Sequence, residues 1–185
     1  MKVLVLSDTH GSLEVTSKVF ELVGKVDLVF HLGDVLYHGP RNPIPRGYDP
    51  MGLAEFLREK RVIYVRGNCD ADVDLMVLGL QEIPRMAMEY FENLKVLLLH
   101  GDQLEEMDVV SFAKEHGCQV VLFGHTHVPT VEKREGVLLL NPGSPSLPKS
   151  QHPGTCGLID TETGCFSLFN TEGSLIKEVR ILDGS

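Results

Sequence analysis

Residues Lys2-Val3-Leu4-Val5-Leu6-Ser7-Asp8-Thr9-His10-Gly11 open the chain with a run of β-branched and leucine side chains that stops at a polar turn. The apolar positions that follow, Leu13, Val19, Phe20, Leu22 and Val23, suit one face of a helix, so the segment reads as strand, turn, helix. The pattern recurs. Residues 26–32 read as a strand running into Gly33-Asp34, and residues 61–65 as another running into Gly67-Asn68-Cys69-Asp70. Between them, residues 38–50 hold four prolines and two glycines, which breaks any helix or ladder and predicts a long loop before a helix over about 51–59.

The second half changes character. Residues 82–90 and 95–99 read as strands joined at Glu92-Asn93, residues 107–116 as a helix ended by Gly117, and residues 119–123 as a strand into Gly124-His125-Thr126-His127. Strands at 128–133, 137–140, 156–160, 165–170 and 175–181 then follow across glycine-bearing turns, which predicts antiparallel hairpins. Strand and helix alternating first, then mostly strands, predicts an α/β fold in which helices cover two packed mixed sheets.

A length of 185 residues suits one domain spanning 1–185, and 43% hydrophobic content supplies its core. With 23% charged residues and a mean hydropathy of +0.02, the composition excludes a disordered chain, and no apolar run approaches the ~18 residues of a membrane span. The formal charge of −9 argues against a broad face for duplex nucleic acid, though not against a small anionic substrate. The apolar start is too short for a signal-peptide core, which predicts a cytoplasmic protein. The four cysteines, Cys69, Cys118, Cys156 and Cys165, show no CxxC pairing and read as reduced thiols.

Polar residues stand at the expected strand ends: Asp8, His10, Asp34, Asn68, His100, His125 and His127. Loops after successive strands of a parallel or mixed sheet gather on one edge, so these side chains can converge although they are spread along the chain. The i,i+2 pairs Asp8/His10 and His125/His127 would each project two groups to one side of locally extended backbone, with glycines at 33, 67, 101 and 124 allowing tight turns beside them. Two carboxylates, one amide oxygen and four imidazoles exceed what one ion takes. Two divalent ions sharing Asp34 would each have four protein ligands. The mixture suits Mn²⁺, Fe²⁺, Zn²⁺ or Co²⁺, with Ni²⁺ a further candidate, and two such ions beside two Asp charges form a trap for a phosphoryl anion. His31, inside an apolar strand, reads as a satisfied core histidine.

As a set, Asp8-Thr9-His10, Gly33-Asp34, Gly67-Asn68-Cys69-Asp70, His100-Gly101 and Gly124-His125-Thr126-His127 resemble, in order and nearly end to end, the motifs of the calcineurin-like metallophosphoesterases. The loop Leu36-Tyr37-His38-Gly39-Pro40-Arg41-Asn42 and the segment Asn141-Pro142-Gly143-Ser144 make the chain look most like the small bacterial YfcE-type phosphodiesterases of that family. The resemblance implies a four-layer αββα sandwich. It implies one ion, Mn²⁺ first among the candidates, held by Asp8, His10, Asp34 and His127, and a second held by Asp34, Asn68, His100 and His125. It further implies in-line hydrolysis of a small phosphodiester by a hydroxide activated between the two ions, with no covalent enzyme intermediate, and makes a homo-oligomer plausible.

Many family members carry His after the metal-binding Asn, where this chain has Cys69. Either the thiol donates weakly to the leaving group, which predicts a preference for good leaving groups such as aryl esters, or Cys69 fills space. Arg41 and His38 either clamp a phosphate oxygen or pack their loop. Arg66 either flanks Asn68 or forms an ion pair. The segment 141–144 either braces the metal site or is a plain turn, His116 serves a helix C-terminus, and His152 is solvent-exposed. A metal-binding, non-catalytic interaction scaffold of the same fold, like the retromer subunit that resembles these enzymes, is the alternative to an enzyme; a nuclease of the same superfamily ranks third.

Overall fold

Strand β1 (Lys2–Leu6) is buried beyond its first residue because alternate side chains serve two different cores. The structure, a computed structural model, describes residues 1–91, 94–104 and 107–182, so the turn expected at Glu92-Asn93 lies outside the described residues. After β1 come α1 (Leu13–Val23), β2 (Leu28–His31), α2 (Pro50–Arg58), β3 (Val62–Tyr64), α3 (Asp72–Leu78), β4 (Met86–Phe91), β5 (Leu94–Leu99), α4 (Val109–Glu115), β6 (Val120–Leu122), β7 (Thr130–Arg134), β8 (Val137–Asn141), β9 (Thr155–Asp160), β10 (Cys165–Asn170) and β11 (Leu175–Arg180). Caps set the helix starts: Asp49 accepts from the Gly52 N–H at 2.9 Å before α2, and Asp108 from the Ser111 N–H at 3.1 Å before α4.

Two mixed sheets run in the orders β11-β10-β9-β1-β2-β3 and β4-β5-β6-β8-β7. Val3, Val5 and Phe30 of the first meet Val96, Leu98, Val120 and Leu122 of the second in one buried cluster between the sheets. The opposite side chains, Leu4, Leu6 and Val29, pack toward Val19 of α1, while Leu53 and Leu57 of α2 join Leu78 of α3 on the same outer side. On the far side Leu97, Leu99 and Val121 pack on Val110 and Ala113 of α4. The result is the expected αββα sandwich. Each fully buried Val or Leu contributes roughly 1.5–3 kcal/mol against exposure, so the strand alternation drives the layering.

Three expectations are corrected. The run of late strands is not wholly antiparallel: β8 pairs with β6 in parallel, and β7 returns as the edge beyond it. Helix α3 was not expected. It is short, and Val73, Leu75, Met76, Val77 and Leu78 are crowded along it without clean helical spacing; the Asp74 carboxylate on the Ala71 N–H at 2.9 Å and left-handed Gly79 mark its ends. The strand expected from 82 begins only at Met86, because the preceding Pro84 carbonyl accepts the Arg66 N–H at 2.8 Å, off the β4–β5 ladder.

Candidate metal centre

Strands β1, β2 and β3 are parallel in one sheet, as are β5 and β6 in the other, so the loops after all five open at the same end of the sandwich. Backbone bonds lock these loops together: Asp8 N–H to the Gly33 carbonyl and His10 N–H to the Asp34 carbonyl, each 3.0 Å, and Gly124 N–H to the His100 carbonyl, 2.7 Å. The His100 ring ties the two sheets directly, its Nδ1 lying 2.7 Å from the Leu32 carbonyl.

The backbone at these residues is not extended, as the i,i+2 pairs had suggested. Asp8, His10, Asp34, His125 and His127 have φ of 56°, 47°, 56°, 68° and 59°, the left-handed region that non-glycine residues avoid. Such turns re-aim consecutive side chains and persist only where surrounding contacts over-determine them, typically at functional sites. Of the four glycines expected to permit tight turns, Gly33 and Gly101 have positive φ. Gly67 and Gly124 serve by close approach instead: a Cβ there would collide with Asp34 and with Ser7.

Around Asp34 the donors fall into two sets. The His127 Nε2 lies 3.3 Å from Asp8 Oδ1 and 3.3 Å from the His10 Nε2, which is 3.7 Å from Asp34 Oδ2. On the other side, the His100 Nε2 is 3.5 Å from Asp34 Oδ1 and 3.0 Å from Asn68 Oδ1, and the His125 Nδ1 is 2.9 Å from that same amide oxygen. Three of the four rings face a backbone carbonyl through Nδ1: His10 with Tyr37, His100 with Leu32 and His127 with Leu147. A carbonyl only accepts, so Nδ1 carries a proton and Nε2 is the ring atom turned inward. His125 differs in turning Nδ1 toward the cluster.

The arrangement fits divalent cations. Asp8 Oδ2 accepts from Ser7 Oγ at 2.6 Å and the His125 N–H at 3.0 Å, yet Oδ1 is buried with no hydrogen-bond partner. An unpaired buried carboxylate oxygen facing two imidazole nitrogens is a costly grouping, and a cation relieves it. Burial alone would raise the Asp34 carboxyl, but the hydrogen bond and charge of His100 and the Cys69 N–H overcome it and hold the group well below the usual carboxylate range. Burial opposes charge on His100, yet Asp34 and Asp8 push it up to about 9. Burial lowers His127.

Cys69 stands beside these donors, its N–H 2.8 Å from Asp34 Oδ1 and its Sγ within 4.8 Å of donor atoms of His10 and Asp34. Burial, then the charge of Asp34, pushes the thiol up to about 12. The loop carrying His38 reaches the site through the Tyr37 carbonyl, and a Cβ on Gly39 would lie 3.1 Å from the Cys69 Sγ. His38 itself packs edge-on between Tyr37 and Tyr48. Arg41 is exposed and, among the described residues, forms no ion pair. Arg66 pairs with Asp72 at 2.8 Å. Asn141 braces the His125 turn, donating to the Gly124 carbonyl at 2.8 Å, and Ser144 Oγ donates to the Asp8 carbonyl at 2.7 Å. His116 caps α4 and His152 is exposed.

Asp70 is a further residue of the site, one whose role its place in the sequence does not announce. Its buried carboxylate accepts the N–H groups of Asp34 at 2.9 Å, Val35 at 2.8 Å and Gly67 at 2.8 Å, fixing the loop that carries Asp34 against the one that carries Asn68. The signal available was an acidic residue two positions after the amide at a strand end. Asp70→Ala orphans three buried donors, and at roughly 1–3 kcal/mol each, partly relieved by water, we expect a loss of about 2–4 kcal/mol in denaturant unfolding of metal-free protein. A loss under ~1 kcal/mol would remove Asp70 from this role.

Comparison with known proteins bears on the same residues. The family model of the calcineurin-like phosphoesterase superfamily domain matches residues 1–164. The phosphodiesterase YfcE of Escherichia coli is 37% identical over 185 residues, covering 98% of each chain, and a solved structure of that phosphoesterase superposes with a TM-score of 0.87 over 98% of this chain and 100% of that one. Vacuolar protein sorting 29 from Entamoeba histolytica, solved with Zn²⁺, shares the fold at a TM-score of 0.70 with 19% identity, over 98% of this chain and 100% of that one. With the motifs in sequence order, the donors gathered at one end of the sandwich and the match running through both sheets, the chain belongs to the calcineurin-like phosphoesterase superfamily.

Proposed function

We infer that the protein is a metal-dependent phosphodiesterase acting on a small phosphodiester, and the observation that carries this is the pair of donor sets sharing Asp34, with the buried Asp8 Oδ1 left for a cation. In this reading Asp8, His10, Asp34 and His127 hold one divalent ion, and Asp34, Asn68, His100 and His125 hold the other. Such a pair of ions supplies neutralisation of phosphoryl charge and activation of water as the nucleophile. The chain's own contribution is orientation. Carbonyls of Tyr37, Leu32 and Leu147 hold three imidazoles in the inward-facing tautomer, and Ser7 and the His125 N–H hold Asp8 with one oxygen free. The Asp/Asn/His composition supports Mn²⁺ as the ion. The four free cysteines support a cytoplasmic protein, the exposed Ile44 of the loop supports association between copies, and the core shared by both sheets supports one domain over 1–185. Among the described residues no helix is long and apolar enough to cross a membrane. The metal-binding, non-catalytic scaffold is not favoured, because the phosphodiesterase of Escherichia coli is 37% identical over nearly the whole of both chains.

The test is hydrolysis of bis(p-nitrophenyl) phosphate and p-nitrophenyl phosphate by metal-stripped protein, before and after Mn²⁺ is returned. We expect diester cleavage only with the metal; stripped protein as active as the loaded form would end the reading.

Cys69 sharpens it. A thiol is a weak donor, and general-acid assistance, where present, is worth roughly 10²–10⁴ in rate. His38 and Arg41 are the remaining candidates to contact the phosphodiester from their loop. We expect rates to fall steeply as the leaving-group pKa rises from p-nitrophenyl to alkyl esters, and Cys69→Ala to change turnover of the p-nitrophenyl diester by less than ~3-fold. Equal rates for aryl and alkyl esters would show that a competent general acid is present.

A further inference from the structure

The aromatic and imidazole groups around the metal donors include one that binds no ion in this reading. His31 lies at the end of β2, fully buried, with its ring stacked on Tyr64 at 5.9 Å between centroids. Its Nε2 is 2.8 Å from Thr9 Oγ1, and that hydroxyl lies 2.9 Å from the Val35 carbonyl. A hydroxyl has one proton, and a carbonyl can only accept, so Thr9 spends its proton on Val35 and must accept from His31. The ring is therefore the Nε2–H tautomer, and its Nδ1 is left buried without a partner. A leucine here would avoid that bare nitrogen, so packing alone does not account for an imidazole.

What the ring holds is the residue between two metal donors. Thr9 sits between Asp8 and His10, whose φ of 56° and 47° bend the backbone through the left-handed region. From above, Ser146 Oγ donates to the Thr9 carbonyl at 2.9 Å. From below, the chain in which His31 donates to Thr9 and Thr9 to the Val35 carbonyl pins its side chain to the segment that follows Asp34. We propose that His31 is a positioning residue, which through Thr9 holds the Asp8-Thr9-His10 turn in the geometry that presents Asp8 and His10 to the first ion. The inference rests on the metal-site reading above and adds to it a histidine that never touches the metal.

The experiment is Mn²⁺ titration of metal-stripped protein by calorimetry, with thermal melts of the same stripped samples. Wild type is expected to bind two ions per chain. His31→Leu and Thr9→Val are each expected to weaken one of the two sites by roughly 10–100-fold, the usual cost of losing an outer partner of a ligand. His31→Gln keeps an N–H donor near the Nε2 position and is expected to bind within ~3-fold of wild type, and the double variant His31→Leu/Thr9→Val no more weakly than the weaker single one, because both remove one chain of bonds. Wild-type affinity in His31→Leu, a Gln variant as weak as Leu, or additive losses would overturn the proposal, as would a lowered melting temperature with Mn²⁺ affinity intact. Should His31→Leu fail to fold, wild-type affinity in Thr9→Val overturns it alone. Failure of the wild type to bind Mn²⁺ would instead overturn the metal site itself.

Discussion

Asp34→Ala is expected to abolish turnover and to reduce the Mn²⁺ bound from two ions per chain to at most one. Its two carboxylate oxygens face different sets of donors, Oδ2 toward His10 and Oδ1 toward His100, which is the geometry of the shared ligand in the proposed site. Oδ1 also accepts the Cys69 N–H at 2.8 Å, so the substitution releases the Asn68–Cys69 turn as well. Loss of paired-ion stabilisation of the transition state is worth several kcal/mol, which at ~1.4 kcal/mol per tenfold means a fall of roughly 10³-fold or more in kcat/KM. Asp34→Asn, keeping one oxygen without the charge, should fall between. Turnover within tenfold of wild type in the Ala variant, with two ions retained, would remove Asp34 as the shared ligand.

Acid is expected to unfold the metal-free protein early. Burial lowers His31 to about 3 from 6.5, so between those values the unfolded chain binds a proton that the folded one does not. Stability therefore falls as pH falls through this window, by roughly 2–3 kcal/mol between 6.5 and ~4.5. Asp34, held low, adds a loss in the same direction once pH drops below its ordinary value of 3.8. Asp70, raised by burial, works the other way just above that value. His100 contributes at the alkaline end: held up at about 9, it stabilises the metal-free fold fully below 6.5, and the benefit is lost as pH rises from there to 9. Urea unfolding at a series of pH values checks this. A flat profile from 6.5 to 4.5 would show that His31 is not buried neutral, and His31→Leu should flatten that limb in a protein that otherwise loses it.

Much of the fold was legible because buried strands declare themselves on both faces. Val3 and Val5 against Leu4 and Leu6 form a continuous apolar run, and the polar turns after β1, β2, β3, β5 and β6 stood at recognisable strand ends. The donors were legible for the same reason. What hid was set by contacts distant in sequence: the parallel β6–β8 pairing, which local turn chemistry cannot distinguish from a hairpin, and α3, which lacks clean periodicity. Asp70 hid because two of its three backbone N–H partners, at Val35 and Asp34, lie 35 and 36 residues away. The left-handed turns at Asp8 and His127 carry no glycine to announce them, since tertiary contacts rather than residue type enforce them. His31 was read as a satisfied core residue, yet only one of its nitrogens has a partner.

The donors also straddle the seam of the sandwich. Asp8, His10, Asp34 and Asn68 follow strands of the six-stranded sheet, whereas His100, His125 and His127 follow strands of the five-stranded one. In the proposed ligand sets each ion would take donors from both sheets, and would so staple one to the other at the mouth of the core. By mass action the ions then act as a thermostat on the fold: at a free concentration 100 times its Kd, one ion adds ~2.7 kcal/mol to the unfolding free energy. The lifetime of the folded protein, its resistance to proteolysis and its melting temperature should all rise and fall with the free divalent metal around it.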